Sequence, residues 1–261
     1  MDITNEYPFG SGGRIIPLSE GSFTIDKTKQ FVPFDDSKHE LQERPVGSLL
    51  VEVQPFAVIT SKDILLLDTG LGFSNPDGTL QIHQNLLDAG INPMDVTKVL
   101  LTHLHKDHSG GISKEDKVLG TYDISFPNAT YYVQRKEVDY AVEKGSPSYT
   151  PKEFQLLGTS PNVVFIDGNG VIDDYIHYEV TAAHSLYHQV YLIKENNETI
   201  FFGGDDAPQL QQMKHRFIAK YDYDGKKCME LRKQWWAEKE KDNRTFLFYH
   251  DIKTPVYTAG S

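Results

Sequence analysis

The stretch VLLTHLHKDHSGG, from Val99 to Gly111, places three histidines and one aspartate within six residues, directly behind an apolar run. The apolar run predicts a β-strand, and the Ser-Gly-Gly that follows breaks any regular element. His103 and His105 are two positions apart, so both project from the same side of an extended segment. Asp107 and His108 lie in the turn that follows and can face a second point nearby. Packing gives no reason for this composition, so the stretch predicts metal binding rather than ordinary core histidines.

Predicted strands elsewhere in the chain also end in a ligand-type side chain. These residues, with the one from the first stretch, are Asp68, His103, His184, Asp205 and His250. Sites in layered α/β folds favour the carboxyl ends of strands, where loops leave a rigid scaffold. Imidazole and carboxylate together suit zinc, iron or manganese, and the lack of thiolate partners argues against a structural zinc-finger site.

Short apolar runs with regular punctuation predict many strands and few helices. Strands are predicted at 48–53, 56–60, 63–68, 98–103, 130–134, 162–167, 175–181, 188–194, 198–204 and 245–250, and helices at 78–90, 135–145 and 224–242. Because strands and helices intermix without a linker-like stretch, the pattern predicts one α/β or α+β layered domain over residues 1–261.

Helix-end signals and periodicity refine two of these helices. Thr79 is the predicted N-cap of the first helix and Gly90 its C-terminal stop. In the last helix, Cys228, Leu231 and Trp235 form the predicted buried stripe, with Lys, Arg and Glu opposite.

Several reactive side chains stand alone and are expected to be structural. The single cysteine, Cys228, has no activating neighbour and is predicted to fill the core rather than act as a nucleophile. The isolated histidines, for which no functional role is expected, are His39, His83, His177 and His215.

Composition limits the partners. The net charge is −11 and no Lys/Arg-rich block is present, which argues against nucleic acid and favours a small-molecule substrate. No apolar run approaches the ~18 residues that span a membrane. The N-terminal MDITNEYPFG is polar and has no signal pattern, which favours a cytoplasmic protein, although an export signal already removed is an open alternative.

The stretch THLHKDHSGG resembles the H-x-H-x-D-H signature of the metallo-β-lactamase superfamily, with its Gly-rich continuation. Further landmarks follow in the superfamily's order: ILLLDTGLG (64–72), TAAHSLYH (181–188), FFGGDDAP (201–208) and FYHD (248–251). TAAHSLYH keeps the histidines of the common T-P-G-H-T-P-G-H pattern without its Pro-Gly pairs. The landmarks span Asp68 to His250, whereas residues 1–45 carry none, so their role is open.

The resemblance implies a fold and a ligand set. The fold is an αββα sandwich of two mixed β-sheets flanked by helices. The implied ligands are His103, His105 and His184 for a first metal and Asp107, His108 and His250 for a second, with Asp205 bridging both. Asp206 is the fallback for the bridge, because GGDDAP offers two aspartates. Asp68 is expected to hydrogen-bond a ligand imidazole, and His188 to support the site without ligating.

The implied activity is metal-dependent hydrolysis. A hydroxide bridging two divalent ions, zinc first and iron or manganese as alternatives, is expected to cleave an ester, lactone, thioester or phosphoester. Asp107 is expected to accept the nucleophile's proton and pass it to the leaving group. The overall layout is most similar to the lactonase and organophosphate hydrolase group.

Two alternatives stay open at this point. A mononuclear iron oxygenase of the persulfide dioxygenase type would use His103, His105 and an acid, and would leave Asp107, His108 and His250 idle. A metal-binding protein without catalysis is the third hypothesis, and the complete ligand set argues against it.

Substrate contacts are the least determined feature. Autoinducer lactonases tend to carry a tyrosine shortly after the bridging aspartate, where this chain reads Asp206-Ala207-Pro208. Tyr187, Tyr221 or Tyr223 could substitute. Phe217, Tyr221 and Tyr223 could line a cleft or simply pack on the last helix. The segment FTIDKTKQFVPF (23–34) could cap the cleft or mediate a homodimer.

Overall fold

The computed structural model describes residues 6–35, 37–116 and 118–259, so the first five residues of the polar N-terminal stretch and residue 36 of the N-terminal segment lie outside it. The strands are β1 (Tyr7–Phe9), β2 (Gly13–Pro17), β3 (Gly21–Ile25), β4 (Phe31–Pro33), β5 (Leu49–Val53), β6 (Phe56–Ile59), β7 (Ile64–Leu67), β8 (Lys98–Leu100), β9 (Ser113–Asp116), β10 (Thr121–Ile124), β11 (Thr130–Gln134), β12 (Val163–Ile166), β13 (Gly170–Ile172), β14 (Ile176–Val180), β15 (Gln189–Glu195), β16 (Glu198–Phe202), β17 (Arg244–Leu247) and β18 (Val256–Thr258). The α-helices are α1 (Gln81–Asp88), α2 (Lys106–Ser109), α3 (Arg135–Lys144), α4 (Pro151–Phe154), α5 (Leu210–Lys214) and α6 (Gly225–Ala237).

Two mixed sheets dominate the described part of the chain. The first has the order β1-β2-β6-β7-β8-β11-β12, with β7, β8, β11 and β12 parallel, and the second has the order β13-β14-β15-β16-β17-β18, with β16 and β17 parallel. Leu65 and Leu67 of the first sheet share one buried cluster with Tyr191 and Phe202 of the second, so the two sheets pack face to face.

Helices cover the outer faces of both sheets. Ile82 and Leu86 of α1 pack with Leu66 on the outside of the first sheet. Met213 of α5 and Trp235 of α6 lie in the cluster on the outside of the second sheet. The predicted αββα sandwich is therefore confirmed. Within the described ranges, no helix has the length and apolar character needed to cross a bilayer.

The predicted cap of the first helix is wrong. The N-cap is Leu80, which makes no side-chain capping bond. Thr79 belongs instead to the preceding turn, where its N–H donates to the Asp77 carboxylate at 2.9 Å. Gly90 ends the helix as predicted, because its φ of +74° is a left-handed conformation that glycine adopts without strain.

The polar face assigned to the last helix is wrong for one residue. Arg232 is only 1 % exposed. Its guanidinium donates to the main-chain oxygens of Asp206 at 3.0 Å and Phe217 at 2.7 Å. These carbonyls lie in the loop that follows Asp205 and need buried donors, which the helix pattern alone does not show.

The N-terminal segment contributes to both scaffold and surface. Strand β2 pairs with β6 and so extends the first sheet. Strand β3 pairs with β4 and β5 in a separate three-stranded sheet. These strands were not predicted, because their apolar residues are interrupted by glycine and polar residues.

Candidate metal centre

The structure brings all seven predicted ligand side chains together in two adjacent groups. Within each group the candidate ligand atoms lie within 4.8 Å of one another. The first group is His103, His105, His184 and Asp205, and the second is Asp107, His108 and His250.

Asp205 reaches both groups, one oxygen to each side. Its Oδ2 lies 3.2 Å from His184 Nε2. Its Oδ1 lies 2.9 Å from His250 Nε2 and 3.1 Å from His108 Nε2. A carboxylate in this position can contact two cations at once.

Backbone contacts fix the conformation of the motif from His103 to His108. The turn expected at Asp107 and His108 is the short helix α2. Leu104 is buried between the two histidines, and its N–H donates to the Glu137 carboxylate at 2.9 Å. This bond holds the backbone between His103 and His105.

The glycine pair after the motif is required by a close backbone approach. A Cβ on Gly110 would lie 2.3 Å from the carbonyl oxygen of Leu71, and one on Gly111 would lie 2.2 Å from that of Thr69. The loop after Asp68 therefore packs directly against the motif, and a side chain at either glycine would separate them.

Most of the imidazoles are anchored through Nδ1, which leaves Nε2 to face the centre. The anchoring pairs are His103 with Thr102 Oγ1 at 3.0 Å, His108 with Asp68 Oδ2 at 2.8 Å, His184 with Asp222 Oδ1 at 2.9 Å and His250 with the Glu52 main-chain oxygen at 2.6 Å. His105 is reversed, since its Nδ1 lies 2.9 Å from His103 Nε2 and 3.1 Å from His184 Nε2. Such partners fix the tautomer and the ring orientation of metal-binding histidines.

Asp68 occupies the position expected of it. Its carboxylate accepts bonds from the Thr102 N–H at 2.7 Å and hydroxyl at 2.8 Å, in addition to the contact with His108. Its φ of +56° lies in the left-handed region, which costs free energy for a residue with a side chain. The surrounding hydrogen bonds hold this conformation.

The donor set fits divalent cations. His108 Nε2 and Asp205 Oδ1 are buried and 3.1 Å apart, yet neither has a hydrogen-bond partner among the described residues. Burial and the neighbouring imidazoles lower the pKa of His103 and His105, which favours the neutral form with a free lone pair. At His108 burial acts in the same direction, but the Asp205 and Asp107 carboxylates outweigh it and raise the pKa. Divalent ions would satisfy these atoms without protonating the imidazoles.

The second aspartate of GGDDAP has a different place. Asp206 Oδ1 accepts the His184 N–H at 2.8 Å, and Asp206 Oδ2 lies 2.9 Å from His188 Nδ1. His188 Nε2 in turn accepts the Asp205 N–H at 3.2 Å. The structure thus places Asp205 in the centre, with Asp206 and His188 behind it.

Sequence reasoning missed Asp222, which holds His184. Its side chain is 1 % exposed and lies in the loop between Asp205 and α6. The residue does not follow a strand, so the strand-end pattern could not identify it. The partners Glu52 and Glu137 were missed for the same reason.

The two groups lie at the bottom of a cleft with a volume of about 640 Å³. Phe217 and Tyr221 line it, which is one of the two alternatives that the sequence left open. Tyr223 does not, and Tyr187 packs against Tyr140 instead, with ring centroids 5.8 Å apart. Residues of the N-terminal segment form the opposite wall, including Ile25, Phe31 and the strand residues Leu49 and Val51 that follow it.

The isolated reactive side chains lie outside both groups. Cys228 is buried, and burial raises the pKa of its thiol, which agrees with a structural role. Among the isolated histidines, His83 contacts the Ser125 carbonyl at 3.0 Å and His39 accepts the Asp35 N–H at 3.0 Å. His177 lies on β14, and His215 borders a neighbouring cavity.

The comparison with protein families agrees with the motif. Residues 50–234 match the model of the metallo-β-lactamase superfamily, which is well over half of the chain. The chain belongs to the metallo-β-lactamase superfamily.

Curated superfamily relatives include a protein described as N-acyl homoserine lactonase AttM from Agrobacterium fabrum. It is 33% identical over 180 residues, which cover 62% of this chain and 60% of the relative. The chain thus spans about three fifths of the length of that relative.

Solved structures share the superfamily fold over nearly the whole chain. A probable metal-dependent hydrolase from Staphylococcus aureus superimposes with a TM-score of 0.76 at 18% identity, covering 96% of this chain and 94% of that one. The dizinc quorum-quenching lactonase AidC gives 0.73 at 19% identity, covering 98% and 92%. At these identities the likeness establishes the fold alone.

Proposed function

We propose that this chain is a metal-dependent hydrolase that cleaves an ester, lactone, thioester or phosphoester bond. The observation that carries the proposal is the convergence of seven imidazole and carboxylate side chains, with one Asp205 oxygen facing each group. Kinship to a protein described as a lactonase supports the hydrolytic class.

In this proposal the two groups hold two divalent ions, zinc first, with iron or manganese as alternatives. His103, His105 and His184 would hold one and Asp107, His108 and His250 the other, with Asp205 shared. Bound there, such ions supply Lewis-acid activation of water and polarisation of the scissile oxygen.

Asp107 is proposed as the proton-transfer group. Its carboxylate borders the cleft and lies 3.5 Å from His250 Nε2. The Tyr249 hydroxyl donates to the Asp107 main-chain oxygen at 2.6 Å, which fixes the backbone that carries the carboxylate. Asp107 can therefore accept a proton from the attacking water and return it to the leaving group.

The proposed bond class is broad for a structural reason. In the sequence, Ala207 and Pro208 follow the two aspartates, so there is no tyrosine shortly after Asp205. Tyr221 offers the aromatic hydroxyl that borders the cleft, and its ring centroid lies 6.1 Å from that of His184. The cleft walls, rather than the ligand set, would select the substrate.

The oxygenase alternative has less support. A mononuclear site would need only the first group, and it gives no role to the convergence of Asp107, His108 and His250. The printed activity of the curated relative is also hydrolytic.

Metal content and turnover test the proposal together. Protein purified without chelator should hold about two transition-metal ions per chain and hydrolyse members of an ester, lactone and phosphotriester panel. Asp107→Ala should abolish turnover. One iron per chain with oxygen consumption on persulfides, or full activity of Asp107→Ala, would contradict the proposal.

A further inference from the structure

Outside the two ligand groups, the lining of the cleft carries more positive than negative side chains, whereas the whole chain is acidic. The chain has 37 acidic and 26 basic residues. In the described part of the chain, four lysines line the cleft, namely Lys27, Lys29, Lys106 and Lys220, and Asp26 is the one lining carboxylate outside the two ligand groups. A patch with average composition would have more carboxylates than ammonium groups.

The four lysines are not held in salt bridges. Among the described residues, none of the four forms a salt bridge, although six other basic residues do. The Asp26 carboxylate is engaged by its own turn, where it accepts the Thr28 N–H at 2.8 Å and hydroxyl at 2.6 Å. An incoming anion would therefore meet ammonium groups that are not engaged in a salt bridge.

Two of the lysines are held over aromatic rings. Lys29 Nζ lies 5.8 Å from the ring centroid of Tyr221, and Lys106 Nζ lies 5.7 Å from that of Phe31. Each contact joins the N-terminal wall to another part of the cleft. Cation–π contacts restrain the ammonium groups without neutralising their charge. The ammonium groups of Lys29 and Lys106 are therefore positioned to bind an anion.

Much of the remaining lining of the cleft is apolar. The side chains are those of Ile25, Phe31, Leu49, Val51, Phe217 and Ile218. A ligand that fills this space needs an apolar body together with a negative group.

We propose that the cleft selects amphipathic anions, that is, acyl or aryl substrates that carry a carboxylate or a phosphate group bound by Lys29 and its neighbouring lysines. The inference rests on the proposed hydrolase function and specifies its substrate class. Lys29 lies outside the segment that matches the superfamily model, so this selection would belong to the chain's own N-terminal wall.

Direct binding tests the inference without requiring turnover. Octanesulfonate, whose sulfonate is a weak metal ligand, and neutral octanol are titrated into the metal-loaded protein by calorimetry. We expect octanesulfonate to bind about tenfold more tightly, with an affinity that falls as salt is added. Competition by octyl phosphate and by a medium-chain dicarboxylate then distinguishes a phosphate from a carboxylate source.

Substitutions assign the effect to the cleft. Lys29→Gln should weaken octanesulfonate binding about three- to tenfold, and Lys29→Glu should weaken it further. Lys136 is exposed on α3 and lies outside the cleft, so the same substitutions there should leave the affinity for octanesulfonate unchanged. Equal affinity for octanol and octanesulfonate, or equal effects at the two lysines, would overturn the inference.

A hydrolysis assay separates this inference from the proposed function. 4-Nitrophenyl hexanoate is compared with the 4-nitrophenyl monoester of adipic acid, which has a free carboxylate. Lys29→Gln should reduce the preference for the anionic ester. If both esters are hydrolysed equally by all variants, the selectivity proposal fails and the hydrolase stands. If anion binding follows the lysines while no ester, lactone or phosphotriester is cleaved, the hydrolase fails and the anion site stands.

Discussion

The floor and the walls of the cleft are built in different ways. The floor consists of largely buried imidazoles and carboxylates at strand ends and on the short helix α2, and most of its imidazoles are anchored through Nδ1 by a hydrogen bond. The walls come from the N-terminal sheet and the 215–224 loop, and Phe217, Tyr221 and Leu49 are each 39 % exposed. Rigid anchoring suits groups that must hold a fixed geometry, whereas exposed loop side chains can vary with the substrate. The floor should decide whether a reaction occurs, and the walls should decide on which molecule.

The largest effect is expected from removing a floor imidazole. His103→Ala should reduce kcat/KM about 10³-fold or more and lower the metal content, because the first group loses a buried ligand. His83→Ala changes a histidine outside the metal centre, so this variant should retain the wild-type kcat/KM and metal content. Metal analysis and steady-state kinetics on the two variants measure the difference, and equal behaviour would remove the distinction between floor and surroundings.

The second largest effect is expected from substituting Asp222, which lies in the 215–224 loop and contacts His184 Nδ1. Asp222→Asn should reduce metal affinity or activity about 10- to 100-fold, because the ring of His184 loses its charged partner. Asp224→Asn is the matched control, since Asp224 caps α6 and asparagine caps equally well. Competition with a chelator measures the affinity of each variant. An unchanged Asp222→Asn variant would show that the wall loop does not support the floor.

Glu20 joins the N-terminal part of the chain to the loop that follows Asp68. Its carboxylate is buried and accepts the Leu71 N–H at 2.6 Å, and burial raises its pKa to about 8. The folded chain therefore keeps a proton that the unfolded chain has released above its ordinary pKa of 4.5, so stability falls as the pH rises through the interval between the two values.

The Glu20→Gln variant tests this linkage. Wild type and variant should have similar free energies of unfolding near pH 4.5, and the variant should be more stable by on the order of 2 kcal/mol near pH 8. Denaturant titrations at several pH values measure the difference. Glu115→Gln, on an exposed residue of β9, should show no such trend, and a parallel trend in both variants would contradict the assignment.

The smallest effect is expected in the wall itself. Phe217→Ala should raise KM for a substrate with an apolar acyl chain about fivefold, because a half-exposed ring contributes only about 1 kcal/mol of apolar contact. The metal content and kcat should stay the same. A loss of metal from this variant would break the proposed division of roles.

The parts of the chain that local pattern could predict are those with regular periodicity or unusual composition. Strand β11 has the predicted bounds of 130–134, and α3 begins at the predicted residue 135 and ends one residue before the predicted 145. The crowding of histidine and aspartate after β8 identified candidate ligands without any knowledge of contacts. Strands β1 to β4 were missed, because each depends on pairing with a neighbouring strand more than on its own periodicity.

The sequence by itself determined a layered α/β or α+β class and the candidate ligands, since hydrophobic period, strand ends and the spacing of the histidines are local properties. The αββα sandwich was implied by the resemblance to the superfamily. Only the tertiary structure decided which groups hold those ligands in place. His250 is anchored by the carbonyl of Glu52, 198 positions away, and His184 by Asp222, 38 positions away. It also decided that Arg232 is buried and that Lys29 borders the cleft. Such contacts join residues whose separation along the chain carries no periodic signal, so they exist only once the chain has folded.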